Sequence, residues 1–147
     1  MTFNYYDFAN ETFDFLNEIY ESGIRSNSMA SQIQNTCERY LKHLIEEYDN
    51  PSNVNSQLFH NDILRTHSVN NLVRYLEDNM NVTFSNDTKL GLLSMDNLYF
   101  TTRYPGRDSR MANEVEIDEY MQYLRKFKTE YDEIVERLEE IEENIEI

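Results

Sequence analysis

Glycine, proline, cysteine and tryptophan are rare or missing in this chain. Its 147 residues include three glycines, two prolines, one cysteine and no tryptophan. Because glycine and proline mark most tight turns, their scarcity predicts a few long elements. The lone Cys37 excludes an internal disulfide framework and offers no zinc-ligand spacing. Valine is sparse beside leucine, asparagine and glutamate, so the composition favours helices over strands.

Long hydrophobic runs and phosphate-loop motifs are missing as well. No stretch approaches the roughly 20 apolar residues that a membrane span needs, and the N-terminus lacks the basic start and apolar run of a signal peptide. The sequence has no glycine-rich phosphate loop, which excludes an ATPase of the Walker type. We therefore expect a soluble, cytoplasmic protein that uses no metal and no cofactor.

Positive charge is also scarce, because 13 lysines and arginines face 28 acidic residues and give a formal net charge of −15. Such a chain repels phosphate backbones, which excludes broad, sequence-independent binding of nucleic acid. The stretch from Thr101 to Arg110 inverts the balance, since it holds three arginines and a single acid, Asp108. A local basic site for a nucleotide or an RNA end therefore remains compatible with the composition.

The spacing of apolar residues predicts an all-α fold, an antiparallel up-and-down bundle of four to five helices in one domain spanning residues 1–147. We expect helices over about 5–22, 26–48, 68–80, 87–100 and 113–145. Residues 51–58 are expected to form a polar loop, and residues 59–67 at most a short helical turn. The residues expected on the buried faces are Phe8, Phe15 or Leu16, and Ile19 in the first helix, and Met29, Ile33, Cys37, Tyr40, Leu44 and Tyr48 in the second. In the third helix they are Val69, Leu72, Val73, Leu76 and Met80, and in the fourth Leu90, Leu93, and Asn97 or Leu98.

The last helix has the most regular pattern, a 3.5-residue repeat typical of left-handed helix packing. Its length of roughly 50 Å exceeds that of the other helices, so about residues 137–147 are expected to overhang the bundle. Leu138, Ile141 and Ile145 would then be exposed unless a second copy covers them, which predicts a homodimer interface there. The alternative is a frayed acidic tail. The repeating residues are Tyr120, Leu124, Phe127, Tyr131, Ile134, Leu138, Ile141 and Ile145.

Three segments, in this order, resemble the pattern of a known family. The first is Tyr-Glu-Ser-Gly at 20–23 followed by 30–44, which includes Cys-Glu-Arg-Tyr-Leu-Lys at 37–42. The second is Arg-Thr-His-Ser-Val-Asn-Asn-Leu at 65–72, where Val69 stands in place of the usual leucine. The third is Tyr-Phe-Thr-Thr-Arg-Tyr-Pro-Gly at 99–106, ahead of the last long helix. Together they resemble the HEPN family (higher eukaryotes and prokaryotes nucleotide-binding).

This resemblance implies a bundle of four or five antiparallel helices that is usually dimeric. The family includes metal-independent ribonucleases, toxins paired with small nucleotidyltransferases, and noncatalytic partners that bind nucleotides. Its catalytic members carry an arginine, four to six intervening residues, and a histidine. Attack by a 2′-hydroxyl needs a proton carrier that titrates near neutrality and a cation beside the developing phosphorane charge, which explains the pair.

The histidines of this chain depart from that catalytic spacing. Arg39 precedes His43 by three intervening residues and His60 by twenty, and Arg65 precedes His67 by one. No histidine follows the arginines of the loop. We therefore expect a noncatalytic member of the family.

The candidate ligand-binding residues are His67, Arg103, Tyr104 and Arg107. His67 lies at an expected helix N-terminus, where it either faces a cleft shared with Arg103 or hydrogen-bonds a neighbouring helix or loop. Arg103 either binds phosphate or caps the carbonyls of the fourth helix. Tyr104 either stacks on a base or, as we expect, fills the core. Arg107 and Arg110 are expected on the surface.

Two further groups on the second helix have ordinary structural interpretations. Cys37 fits the apolar stripe and is expected in the core. Glu38 and Lys42 are four residues apart, and we expect a surface pair of the ordinary kind.

Three functional hypotheses follow. The leading one is a noncatalytic HEPN protein that binds a nucleotide or RNA and acts with a small nucleotidyltransferase, in the manner of a toxin–antitoxin pair. The second is a divergent metal-independent ribonuclease toxin that uses His67 or His43 with an arginine of the other subunit, and His67 and Arg103 are then the alternative catalytic residues. The third is a structural helical adaptor joined through its C-terminal seam.

Overall fold

The computed structural model describes the backbone of residues 2–146 and the side chains up to residue 145. Within this range the chain contains helices and no strands, which confirms the all-α prediction and the long last helix. The helices are α1 (Tyr5–Glu21), α2 (Ser28–Tyr48), α3 (Val54–Ile63), α4 (Val69–Met80), α5 (Asn86–Met95), α6 (Leu98–Thr101) and α7 (Glu114–Glu146).

Helix α2 is the centre of the bundle, because it packs against α1, α4, α6 and α7. All six residues of its predicted apolar stripe are buried, including Cys37. Ala30, Leu41 and Ile45 are buried as well, although they lie outside that stripe. A helix that is covered on several faces buries more than one stripe. This central position also determines the environment of its polar residues.

Helices α2 and α7 run in the same direction, with α1 antiparallel to both. Asn27, just before α2, accepts a hydrogen bond from the backbone N–H of Ala112, just before α7, at 2.6 Å. At the other end, the Tyr48 hydroxyl donates to Glu139 at 2.5 Å. The start of α2 therefore lies beside the start of α7, and the end of α2 lies beside a later part of α7.

The predicted polar loop over 51–58 is wrong in its second half, where α3 begins at Val54. Asn53 caps this helix, since its side-chain oxygen accepts from the backbone N–H of Ser56 at 2.8 Å. Such a cap satisfies one of the free N–H groups at a helix start. Only His60 of α3 is buried. Without an apolar stripe, α3 gives no periodic signal in the sequence.

The predicted fourth helix over 87–100 is interrupted, because α5 ends at Met95 and Asn97 adopts a left-handed conformation with φ of 74°. The Asp96 carboxylate leaves the helix and accepts from the hydroxyl of Ser68 at 3.1 Å and the backbone N–H groups of Val69 and Asn70 at 3.1 and 3.3 Å. An anion at the N-terminus of α4 is favourable because free N–H groups meet it there. This capping contact explains the break.

The buried faces of the first and fourth predicted helices were also partly wrong. Leu90 and Leu93 are exposed, whereas Leu92 and Met95 are buried; Leu98, one of the two predicted alternatives, is buried as expected. Phe8 is exposed as well, while Leu16 is buried as predicted. The position of the neighbouring helices, rather than periodicity, selects which apolar residues are covered.

The seam of α7 is buried from Tyr120 to Ile134, and Leu138 is partly buried against the core. Beyond it, the exposed fractions rise to 47% at Ile141 and 78% at Ile145. The homodimer interface there stays a prediction. Among the helices of residues 2–146, none combines the length and apolar character that crossing a membrane requires.

Candidate functional site

The loop between α6 and α7 is fastened to the start of α2 by one side chain, Asn27. Its amide nitrogen donates to the carbonyl of Thr102 at 3.0 Å, and its amide oxygen accepts from the N–H of Ala112 at 2.6 Å. The N–H of Arg110 also donates to the carbonyl of Thr101 at 2.9 Å. Both ends of the loop are thereby held through their backbone groups.

A pocket of about 440 Å³ lies within this loop, a volume in the range of small-molecule sites. Arg103 and Tyr104, both candidates from the sequence, line it, whereas Arg107 and His67 do not. The lining residues are Thr101, Thr102, Arg103, Tyr104, Pro105, Ser109, Arg110 and Met111.

Arg103 lies against two tyrosine rings. Its guanidinium carbon is 4.5 Å from the ring centre of Tyr99 and 5.4 Å from that of Tyr104. The side chain is exposed, and among the described residues it forms no hydrogen bond or ion pair, so it does not cap the carbonyls of a helix. Stacking on an aromatic face holds a guanidinium in place while its N–H donors remain available.

Tyr104 was expected in the core, and this expectation is wrong. Half of its surface is exposed, and its ring packs edge-on against Tyr99 with the centres 6.2 Å apart. The residue follows the end of α6, on the loop that leads to α7. Its ring is therefore accessible to a ligand.

His67 lies next to the same tyrosine, Tyr99, with the two rings nearly parallel and their centres 6.3 Å apart. Its Nδ1 is 2.9 Å from Oε1 of Glu38. Since a carboxylate only accepts, Nδ1 of His67 carries the proton in this contact. The His67 side chain is 62% exposed. The hydrogen bond to a neighbouring helix is therefore present, and both His67 and Arg103 lie close to the ring of Tyr99.

Gln34 positions this group from within α2. Its buried side chain accepts from the N–H of Tyr99 at 2.6 Å and donates to the carbonyl of His67 at 3.3 Å. A polar residue inside the apolar surface of α2 was the available sequence signal. Asn27, Gln34 and Tyr99 were not identified as site residues from the sequence, although Tyr99 lies within the third family segment.

The pair of Glu38 and Lys42 is not on the surface as expected. Their side chains are only 5% and 7% exposed, and Glu38 Oε1 accepts from Lys42 Nζ at 2.9 Å as well as from His67. The pair is buried because α2 is covered on most of its faces. Buried charges persist when they are paired and hydrogen-bonded. Glu38 thus connects the core of the protein to the exposed imidazole.

The arginines of the loop differ in their partners. Arg110 donates to Glu116 at 2.6 Å and to the hydroxyl of Tyr120 at 2.7 Å. The hydrogen bond from Arg110 lowers the pKa of Glu116 below its usual range. Arg107 is exposed and, like Arg103, has no carboxylate partner among the described side chains. Two arginines therefore remain available for an anion.

The other two histidines are engaged elsewhere. His43 Nδ1 lies 2.5 Å from the hydroxyl of Tyr131, and His60 Nδ1 lies 2.8 Å from Asp49, which also accepts from Tyr75. Within the part of the chain that the structure describes, no group of histidine, cysteine, aspartate and glutamate side chains is arranged to hold a metal ion.

Comparison with known proteins agrees with the motifs and with the helical architecture. The family model described as the HEPN domain matches residues 5–147. No curated protein and no solved structure gives a significant match. A match over nearly the whole chain, on an all-helical fold, shows the family. The chain therefore belongs to the HEPN domain family.

Proposed function

We propose that this chain is a noncatalytic HEPN protein that binds a nucleotide or a short RNA end at the loop between α6 and α7. The observation that carries the proposal is the array of the partly buried Tyr99 and the exposed Arg103 and Tyr104, in which an arginine without a carboxylate partner among the described residues lies on two tyrosine rings. In a protein of net charge −15, a free arginine held in this way is an unusual local feature.

The two parts of a nucleotide fit the two chemistries of this array. Arginine forks match the oxygens of a phosphate, and Arg103 and Arg107 both have free donors. An exposed tyrosine ring such as that of Tyr104 stacks on any base, a contact worth about 1–3 kcal/mol. The pocket volume of about 440 Å³ suits a mononucleotide. The overall negative charge disfavours a long nucleic acid, so the ligand is short.

The proposal includes a partner. Members of the family act with small nucleotidyltransferases, and this chain would present its nucleotide or RNA to such an enzyme as one half of a toxin–antitoxin-like pair. A homodimer formed through the exposed end of α7 would place two loops in one assembly. The exposed apolar side chains of Ile141 and Ile145 support an interface there.

The test is a calorimetric titration of the purified protein with adenosine and guanosine mono- and triphosphates and with a dinucleotide. We expect micromolar to millimolar binding that Arg103→Ala and Tyr104→Ala each weaken about tenfold, because each removes roughly 1–3 kcal/mol of contact. Arg137→Ala is the matched control, since it removes an exposed arginine of α7 that does not line the pocket. If no nucleotide binds, or if the control weakens binding equally, the proposal is wrong.

A second candidate function, a divergent ribonuclease, is favoured by one specific contact. Glu38 holds Nδ1 of the exposed His67, so a neutral imidazole in this contact would carry its lone pair on Nε2, the form that a general base requires. An arginine such as Arg103 would supply the cation. Cleavage of RNA by the pure protein, lost in His67→Ala and unaffected by chelators, would establish this function. Intact RNA and normal growth on expression would remove it.

A further inference from the structure

The aromatic surface beside the loop continues past Tyr104 and includes Phe100 of α6. Phe100 is 48% exposed, and its ring packs edge-on against Tyr99 with the centres 5.2 Å apart. It also lies edge-on to the exposed ring of His67, with 6.5 Å between the centres. Phe100 and His67 therefore form a second exposed aromatic surface, which lies outside the pocket that Arg103 and Tyr104 line.

Tyr99 is the residue that the two aromatic surfaces share. Its ring centre is 6.2 Å from that of Tyr104, and the guanidinium carbon of Arg103 is 4.5 Å away. Among the described residues, neither of these two side chains forms an aromatic or cation–π contact with Phe100 or His67. The two aromatic surfaces are thus distinct, and the arginine lies against the tyrosine that connects them.

The ring of His67 is held in place from inside the protein. Its Nδ1 lies 2.9 Å from the carboxylate of Glu38, which is 5% exposed and also accepts a hydrogen bond from Lys42. A buried ion pair is weak evidence for stability, because removing two charges from water can cost more than their attraction returns. The exposed group that this pair contacts is the His67 ring. The pair therefore fixes the orientation of an aromatic ring that faces solvent.

Gln34 fixes the spacing of the segments that carry the two surfaces. Its fully buried side chain accepts from the backbone N–H of Tyr99 at 2.6 Å and donates to the carbonyl of His67 at 3.3 Å. The start of α4 and the helix α6 are thereby tied to one residue of α2. Surfaces that are held in this way before a ligand arrives lose little conformational entropy when it binds.

Two aromatic surfaces and one arginine match the parts of two successive nucleotides. Proteins bind single strands by stacking unpaired bases on aromatic rings, histidine included, and by pairing phosphates with cationic side chains. A mononucleotide has one base and would leave one of the two surfaces uncovered. Two nucleotides joined by a phosphate have a base for each surface and an anion for Arg103.

We infer that the site takes a dinucleotide step, two nucleotides joined by one phosphodiester, which rests on the proposed function and specifies the length of its ligand. One base stacks on Tyr104, the phosphate pairs with Arg103, and the other base stacks on Phe100 beside His67. Phe100 and His67 are thus the residues that distinguish two nucleotides from one. The same step occurs at the end of an RNA chain and in a free dinucleotide.

Isothermal titration compares adenosine monophosphate with adenylyl-adenosine, in which one phosphate joins two adenosines. We expect the dinucleotide to bind about tenfold more tightly, because it stacks a second base. Phe100→Ala should reduce this ratio of affinities to about twofold, whereas Phe100→Tyr should retain it because the ring stays in place. Phe15→Ala is the matched control, since it removes a phenylalanine of similar exposure, 51%, from α1. If Phe100→Ala does not fold, Phe100→Leu decides, because it keeps an apolar side chain and removes the ring.

The outcomes separate the dinucleotide step from the proposed function. If neither ligand binds, both are wrong. If adenosine monophosphate binds and the dinucleotide binds no more tightly, the dinucleotide step is wrong while the proposed function stands. The same conclusion follows if Phe15→Ala lowers the ratio as much as Phe100→Ala.

A third titration, with hexaadenylate, distinguishes the two sources of the step. Binding as tight as that of the dinucleotide, or tighter, identifies the end of an RNA chain. Weaker binding identifies a free dinucleotide, because a protein of net charge −15 repels the additional phosphates.

Discussion

Replacing Glu38 by alanine is the sharpest test of how α2 is built. Its carboxylate is almost fully buried and accepts from Lys42 Nζ and His67 Nδ1, both at 2.9 Å. Without it, the ammonium of Lys42 keeps only a distant cation–π contact, 5.8 Å from the ring centre of Tyr5. The variant therefore leaves a positive charge buried without an anion.

We expect a large decrease in the free energy of unfolding, because the buried Lys42 ammonium stays desolvated and loses the attraction of the Glu38 carboxylate. Removing one partner of a buried ion pair destabilises a protein by about 3–5 kcal/mol, whereas an exposed pair is worth about 0–1 kcal/mol. We expect the lower end, about 3 kcal/mol, since Tyr5 compensates in part. Replacing both partners by apolar residues of similar size, Glu38→Leu with Lys42→Met, should cost much less than Glu38→Ala alone.

Urea denaturation of the wild type and the variants measures these free energies of unfolding. The matched control is Glu46→Ala, an exposed acid on the same helix, for which we expect a change within about 0.5 kcal/mol. A loss below about 1 kcal/mol for Glu38→Ala would refute the reasoning, because that is the value of a solvated pair. The reasoning would also be refuted if the double variant, Glu38→Leu with Lys42→Met, lost as much free energy of unfolding as its two single variants together.

Three further outcomes are expected. Gly91→Ala should lower the free energy of unfolding by about 1 kcal/mol, because the new Cβ would lie 2.8 Å from the ring of Tyr123 and the cost of overpacking exceeds the gain in helix propensity. Gly106→Ala is the control and should leave that free energy unchanged, because no atom lies within 4 Å of its new Cβ. Because burial lowers the pKa of His43 in the folded state, the free energy of unfolding should fall as the pH drops through about 6.5. His43→Gln should make the free energy of unfolding less dependent on pH in this range, and an unchanged dependence would contradict the prediction. Finally, Ile141→Glu with Ile145→Glu should abolish self-association in sedimentation velocity, and a monomeric wild type would remove the predicted interface.

The helices with a strong apolar period were predictable from the sequence. The stripe of α2 and the seam of α7 repeat over many turns, so the buried residues could be named in advance. Helix α3 could not, because it buries a single histidine and starts at an asparagine cap with no periodic face behind it. A helix that buries few side chains does not need a periodic apolar pattern, so its sequence does not predict it.

The interruption at Asp96 and the burial of Glu38 share a different cause. Asp96 leaves its helix to cap α4, and Glu38 is covered because α2 is surrounded by four helices. Both depend on segments distant in the chain, which local patterns do not report. The same holds for the candidate site, where the family segments contain His67, Arg103 and Tyr104, but only the packing shows that all three lie close to the ring of Tyr99.

The attachment of the loop between α6 and α7 through Asn27 separates the stability of this region from the identity of the side chains that the loop presents. Asn27 binds the backbone at Thr102 and Ala112, so any residues placed at 103–111 inherit the same anchor points. Two fixed ends also limit the conformations that a loop of this length must lose when a ligand orders it. Related chains could therefore exchange the loop's side chains for a different ligand while the bundle beneath it keeps its fold.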